Sequence, residues 1–181
     1  MITIIDYGMG NLGSVRKAFE SVGADVRVSA RPEDLRDSSH VVLPGVGAFR
    51  DAIATIRDTG MDEAVHEAIR GGTPLLGICL GLQIMFTVGE EQGTWDGLDI
   101  FKGTVPRFTE GLVPHIGWNQ AHIVRDDPIM AGIPDHSYFY FVHSYYVKPD
   151  NPGEIIAETD YHINYASIVG HDRVWGIQFH P

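Results

Sequence analysis

Thr73-Pro-Leu-Leu-Gly-Ile-Cys-Leu-Gly-Leu-Gln83 is the stretch that decides how this sequence folds. Pro74 to Ile78 is an apolar run of strand length, and Leu80 to Phe86 has the composition of a buried helix. They meet at Gly77-Ile78-Cys79-Leu80-Gly81, a Gly-x-Cys-x-Gly turn from strand to helix. A turn that sharp strains its central residue and pushes the side chain out over the first helical turn. Glycines two residues to either side remove Cβ atoms that would collide. Free N–H groups and the positive dipole end of the helix are expected to lower the thiol pKa, so the geometry points to a nucleophile. A lone cysteine is more often a small buried hydrophobe. The flanking glycines, which have no obvious packing reason, favour the reactive reading, and a basic partner has to be found elsewhere.

The chain upstream repeats the strand–helix alternation. Met1–Ile5 is a β-branched run closed by the glycine-rich turn Asp6-Tyr-Gly-Met-Gly-Asn11. Leu12, Val15, Phe19 and Val22 then recur at helical spacing up to Gly23. Ala24–Ser29 and Val41–Leu43 read as strands; helices run from about Phe49 to Gly60 and from Met61 to Ile69. Such alternation predicts βαβ units and a mostly parallel sheet. After Gly89 the strand-like runs Leu98–Phe108, Trp118–Val124, Ser137–Val147, Glu154–Tyr161, Ile163–Val169 and Val174–Phe179 follow one another with few helices between. They predict antiparallel strands added at the sheet edge. The expectation is a single α/β domain over residues 1–181: three layers around an open, mostly parallel sheet with antiparallel edge strands.

Composition narrows the chemistry. A net charge of −11 with no basic cluster argues against nucleic acid or an anionic membrane as the main partner. One cysteine excludes an internal disulfide framework and any multi-cysteine metal site, and no histidine pair has zinc spacing. No metal and no cofactor are expected. The sequence opens on a strand-like run without signal-peptide character, and no apolar stretch approaches membrane-spanning length, so a cytoplasmic location is expected. Gly8-Met-Gly-Asn-Leu-Gly13 fits a dinucleotide-binding pattern, yet no acidic residue closes the second strand. It reads as a tight turn on the functional rim, beside Pro44-Gly-Val-Gly47 and the Cys79 turn, where ligands of such sheets collect.

Of nine histidines, His40, His66, His122, His136, His162 and His171 read as solvated or locally bonded. His115 lies in Pro114-His-Ile-Gly-Trp-Asn119 and His143 in Val142-His-Ser-Tyr145. His180 ends the apolar strand Val174-Trp-Gly-Ile-Gln-Phe179 and precedes Pro181, which discourages continuation of the ladder. A histidine there sits on a sheet rim, where it is either the base for Cys79 or a packed structural residue.

Gly-Ile-Cys-Leu-Gly-Leu-Gln (77–83) with Gln-Phe-His-Pro (178–181) resembles the triad class of glutamine amidotransferases, whose domain is flavodoxin-like. Ile5-Asp-Tyr-Gly-Met-Gly-Asn-Leu12, Leu43-Pro-Gly-Val-Gly-Ala-Phe49, Pro114-His-Ile-Gly-Trp-Asn119 and Phe141-Val-His-Ser-Tyr-Tyr146 narrow the resemblance to the glutaminase subunits of imidazole glycerol phosphate synthase, across essentially the whole chain. The resemblance implies that Cys79 and His180 are catalytic and that glutamine is hydrolysed through a Cys79 thioester. The oxyanion would be held by the Leu80 N–H and by Gly45-Val46-Gly47, whose peptide units could reorient. Gln83, His143, Ser144 and Tyr145 would help hold the substrate. Ammonia would pass to a TIM-barrel cyclase subunit as heterodimer partner, against a rim containing Asn11, Trp118 and Asn119. A half-buried core tryptophan remains the alternative for Trp118.

The sequence departs from the family pattern in one respect. The third catalytic residue of the family is a glutamate two positions after this histidine, and the sequence reads to Pro181. The expectation is therefore a domain cut short at its C-terminus. Two rival readings stand: another triad amidotransferase or γ-glutamyl hydrolase, and a non-catalytic docking subunit should that glutamate be truly absent.

Overall fold

The computed structural model describes residues 1–181. Strand β1 (Ile2–Ile5) lies between β2 (Val26–Ser29) and β3 (His40–Leu43), parallel to both, with Ile4 opposite Val28 and Val42. β4 (Leu75–Ile78) pairs with β3, and β13 (Val174–Ile177) inserts beside β4 in the same direction, Ile177 opposite Ile78. β12 (Ile163–His171), β11 (Ile155–Tyr161), β8 (His115–Ile123) and β9 (Ser137–His143) extend the sheet antiparallel, giving the order β2-β1-β3-β4-β13-β12-β11-β8-β9.

Alternation along the strands sorts the core into layers. Ile4, Val42 and Ile78 face α1 (Leu12–Ser21), which contributes Val15. Ile5, Leu43 and Leu75 face α2 (Phe49–Asp58) and α3 (Met61–Arg70), which contribute Phe49, Ile53, Ile56, Met61 and Val65. The three-layer α/β sheet is as expected, and its parallel strands end where the rim loops gather.

Three local expectations are corrected. The helix expected over Leu80–Phe86 is a single turn, α4 (Leu80–Gln83). The carbonyls of Ile84 and Met85 accept from Leu98, Ile100 and Phe101 instead of continuing the helix, and Phe86 opens β5 (Phe86–Gly89). The Leu98–Phe108 run does not join the edge of the main sheet. It forms β7 (Phe101–Val105) in a second sheet, ordered β10 (Lys148–Pro149), β7, β5, β6 (Trp95–Asp96). Finally, β13 is interior and parallel to β4, not an antiparallel edge strand. That last difference brings the residues after Ile177 alongside those after Ile78.

Candidate active site

Cys79 links β4 to α4 with φ 54° and ψ −110°, a left-handed conformation that a side-chain-bearing residue adopts only when its surroundings enforce it. Gly81 and Gly77 supply the enforcement through close approach, not through unusual dihedrals. A Cβ on Gly81 would run into the carbonyl of Leu43; one on Gly77 would meet the Met85 sulfur and come within 2.9 Å of the Leu82 nitrogen. The Cys79 N–H donates to the Ile177 carbonyl at 2.8 Å, tying the elbow to β13. Beyond β13 the His180 N–H donates to the Tyr140 carbonyl at 3.0 Å and hooks the chain end onto β9.

Both side chains open into one cleft of about 360 Å³, which is at the small end for ligand sites and suits a single amino acid. Cys79, Leu80, Val46, Gly47, Gln83, His143, Ser144, Tyr145 and His180 all line it, so most residues singled out in the sequence meet there. A larger depression of about 420 Å³ near Asp126, Met130 and Ile133 holds no nucleophile and no histidine, so chemistry rather than size selects the cleft.

Gly45 does not line the cleft. It packs behind it, where a Cβ would lie 2.5 Å from the Tyr7 hydroxyl and 2.9 Å from Leu80 Cβ. Tyr7 is buried, and its hydroxyl has no hydrogen-bond partner. Gly47, at φ 104°, is the position of the loop that requires glycine for its conformation. Asn11 and Asn119 are more committed than expected of a docking rim. The Asn11 side chain caps α1 by accepting from the Ser14 N–H, and the Asn119 amide donates to the Asp160 carbonyl at 2.8 Å. Trp118 is 71% exposed, which removes the core-tryptophan alternative.

Electrostatics correct a further expectation. Burial pushes the Cys79 thiol up to about 12, against the lowering contributed by the Leu80 N–H and the Gln178 amide. A four-residue helix has little dipole to offer, and a sulfur only 7% exposed loses more in solvation than it gains. The resting sulfur is therefore a thiol, and attack needs a base to remove its proton. His180 lines the same cleft, and burial depresses its pKa, keeping the imidazole neutral and able to accept.

His143 has both ring nitrogens engaged inside the protein, so it shapes the cleft without offering a ring nitrogen to a ligand. Nδ1 lies 2.8 Å from the Tyr145 carbonyl and Nε2 lies 3.2 Å from His115 Nδ1. The carbonyl can only accept, so Nδ1 carries the His143 proton and Nε2 accepts, with His115 Nδ1 and the Tyr165 hydroxyl each 3.2 Å from it. Burial lowers His143 to about 3 and His115 to about 4, from an ordinary 6.5. Because the unfolded chain takes up these protons first, stability is fully present above pH 6.5 and drains away as pH falls toward 4 and then 3. Thermal melts of the wild type should lose midpoint across that window, and His115→Phe should flatten the loss; an unchanged pH profile in a folded His115→Phe chain would contradict the assignment.

Glu91, the one carboxylate in the cleft, and Gln178 were not singled out in the sequence. Glu91 accepts from the Phe49 N–H at 2.7 Å, a contact spanning 42 residues that no local pattern signals. Gln178 sat in plain view inside Gln-Phe-His-Pro; its role depends on the parallel register that sets it beside Cys79.

A cysteine on a strained strand-to-helix elbow, sharing a cleft with a histidine that follows the neighbouring strand, is an arrangement suited to thiol-dependent acyl transfer on an α/β sheet. Residues 3–181 match the family described as Glutamine amidotransferase class-I, and the chain belongs to that family. Within it, the chain is 46% identical over its whole length to the imidazole glycerol phosphate synthase subunit HisH of Desulfitobacterium hafniense, covering 86% of that relative. It is 45% identical, again over its whole length, to the HisH subunit of Geobacillus thermodenitrificans, covering 88% of it. Two solved structures share the fold: one described as a glutamine amidotransferase (TM-score 0.80, 16% identity, 100% of this chain and 90% of that one) and PurLQS from Thermotoga maritima (TM-score 0.79, 16% identity, 99% and 86%).

Proposed function

We propose that this chain hydrolyses the side-chain amide of glutamine and delivers the ammonia to a cyclase subunit that makes imidazole glycerol phosphate and an aminoimidazole carboxamide ribotide, a step of histidine biosynthesis. The observation that carries the reading is the convergence of Cys79 and His180 in one amino-acid-sized cleft. The HisH relatives, matched over the full chain, supply the biosynthetic setting.

In this reading the Cys79 sulfur attacks the amide carbon as His180 takes the thiol proton. The Leu80 N–H, which already faces the sulfur, and the Val46 N–H hold the resulting oxyanion. His180 returns the proton to the departing nitrogen, leaving a γ-glutamyl thioester, and then activates water to release glutamate. Glu91 offers a negative charge for the α-ammonium group of the substrate. No lysine or arginine lines the cleft, so its α-carboxylate falls to neutral donors such as Ser144 and Tyr145.

The partner's seat is the outer face of the β8–β9 hairpin. Ile116, Trp118, Tyr138, Tyr140 and Val142 are all exposed there, and the register sets Ile116 opposite Val142 and Trp118 opposite Tyr140. An apolar stripe of this kind marks an interaction surface, and it adjoins the cleft through Val142. A cyclase subunit of the TIM-barrel type seated there would close the cleft mouth and receive the ammonia. Glutamate release from glutamine should depend on that subunit. Trp118→Ala should weaken the complex by about 2 kcal/mol or more, roughly 30-fold, as central aromatic anchors do. Unchanged affinity, measured by titration calorimetry, would move the interface elsewhere.

A further inference from the structure

We propose that Gln178 positions the nucleophile: its carboxamide, turned by Gln83, aims an N–H at the Cys79 sulfur and favours the anion that attacks. This deepens the reading above and rests on Cys79 being its nucleophile.

The orientation follows from a chain of donors that leaves no choice at any step. The Tyr145 carbonyl can only accept, so the Gln83 group 3.0 Å from it is the NH2 and not the oxygen. The same nitrogen lies 3.1 Å from the Gln178 side chain, which must therefore turn its oxygen toward Gln83. That leaves the Gln178 NH2 on the other side, 3.6 Å from Cys79 Sγ. Amide orientation is ordinarily ambiguous, but here a backbone carbonyl settles it through two successive side chains. His143 Nδ1–H donates to the same carbonyl and is braced from behind by His115, so the anchor of the relay is itself fixed.

Burial makes the arrangement consequential. Gln178 is fully buried, so its amide has no water as an alternative partner, and Gln83 is only 6% exposed. Backbone placement is equally rigid: β13 runs parallel to β4 with Ile177 opposite Ile78, and the Gln178 N–H donates to the Ser167 carbonyl at 2.9 Å. The titratable groups around the sulfur are Tyr7 behind it and His180, His143, Tyr145 and Glu91 along the cleft. None of these is a fixed cation, so neutral N–H groups carry the stabilisation of a developing thiolate.

The test is the rate of Cys79 alkylation by iodoacetamide at a fixed, mildly alkaline pH, which needs no glutamine. Failure of glutamine hydrolysis would leave it interpretable, and its own failure would leave the glutaminase reading standing. Loss of an N–H to a buried anion raises a thiol pKa by about one to two units. The thiolate then becomes intrinsically more nucleophilic, with a Brønsted coefficient of about 0.4–0.5, so the net slowing at fixed pH is about 3- to 10-fold. Gln178→Met should show that slowing. Gln178→Glu, which keeps the shape but presents an acceptor, should be slower still. Gln83→Met should slow alkylation by less. In the hydrolysis assay Gln178→Met should lower kcat with KM little changed. A folded Gln178→Met chain alkylated at the wild-type rate would overturn the proposal. So would a crystal structure of the wild type placing the Gln178 nitrogen beyond reach of the sulfur, which decides the matter even if the buried variants fail to fold.

Discussion

Cys79→Ser should abolish partner-dependent release of glutamate from glutamine, reducing turnover by about 10⁴- to 10⁶-fold, the scale seen when a catalytic nucleophile is removed. The size follows from the protonation states in the cleft. In the proposed mechanism the wild-type sulfur starts as a thiol, its pKa raised to about 12, and passes its proton to a neutral His180. Serine oxygen is a far weaker acid, so the same imidazole cannot remove its proton to a useful extent. The elbow should survive the change, since φ 54° at position 79 is imposed by the approach of Gly77 and Gly81 to their neighbours and not by sulfur. Unchanged circular dichroism with lost activity is the expected pair of observations. A Ser variant that still hydrolyses glutamine would remove Cys79 from the mechanism.

Gly81→Ala should be the most damaging single methyl that can be added near the site. The new Cβ would meet the Leu43 carbonyl and come within 3.2 Å of the Pro44 carbonyl carbon, and these are backbone atoms at the end of β3, not yielding side-chain tips. Overpacking of this kind costs about 1–3 kcal/mol and occasionally more. For a chain of this length that lowers the melting temperature by roughly 2–4 °C per kcal/mol. Activity should suffer beyond the stability loss, because Pro44 leads directly into the Gly45–Gly47 loop that faces the cleft. Gly13→Ala is the matched control. No heavy atom lies within 4 Å of its Cβ, its φ is not positive, and it sits inside α1, so a gain of about 0.5–1 kcal/mol is expected. Equal behaviour of the two variants in thermal melts would show that the tight approach at Gly81 is not real.

How much of this was legible in the sequence depended on how local the cause was. The elbow was readable because its requirements are packed into five consecutive residues, and the glycines that signalled it are the ones a Cβ would block. The first three strands and the helices α1, α2 and α3 were readable for the same reason, through apolar periodicity and glycine stops. His180 was readable as a rim histidine only because it ends an apolar strand before a proline. What escaped the sequence was set by long-range pairing. That α4 ends at Gln83 depends on the Leu98–Phe101 segment claiming the carbonyls of Ile84 and Met85. That β13 lies inside the sheet depends on its pairing with β4, and apolar alternation cannot distinguish an interior strand from an edge one. The thiol pKa was misjudged because a helix start was visible while the helix length and the depth of burial were not. Glu91 and the Gln83–Gln178 pair were missed because their partners lie 42 and 95 residues away.

A cleft that Cys79 and His180 share for glutamine should also accept a reactive analogue of it. The most direct measurement is mass spectrometry of the chain after treatment with a glutamine analogue bearing an electrophilic ketone in place of the side-chain amide. One adduct per chain is expected, mapping to the peptide that contains Cys79, suppressed by excess glutamine and formed far more slowly in His180→Ala. Labelling of Cys79 that glutamine does not suppress and that His180→Ala does not slow, or no labelling of Cys79 at all, would contradict the account.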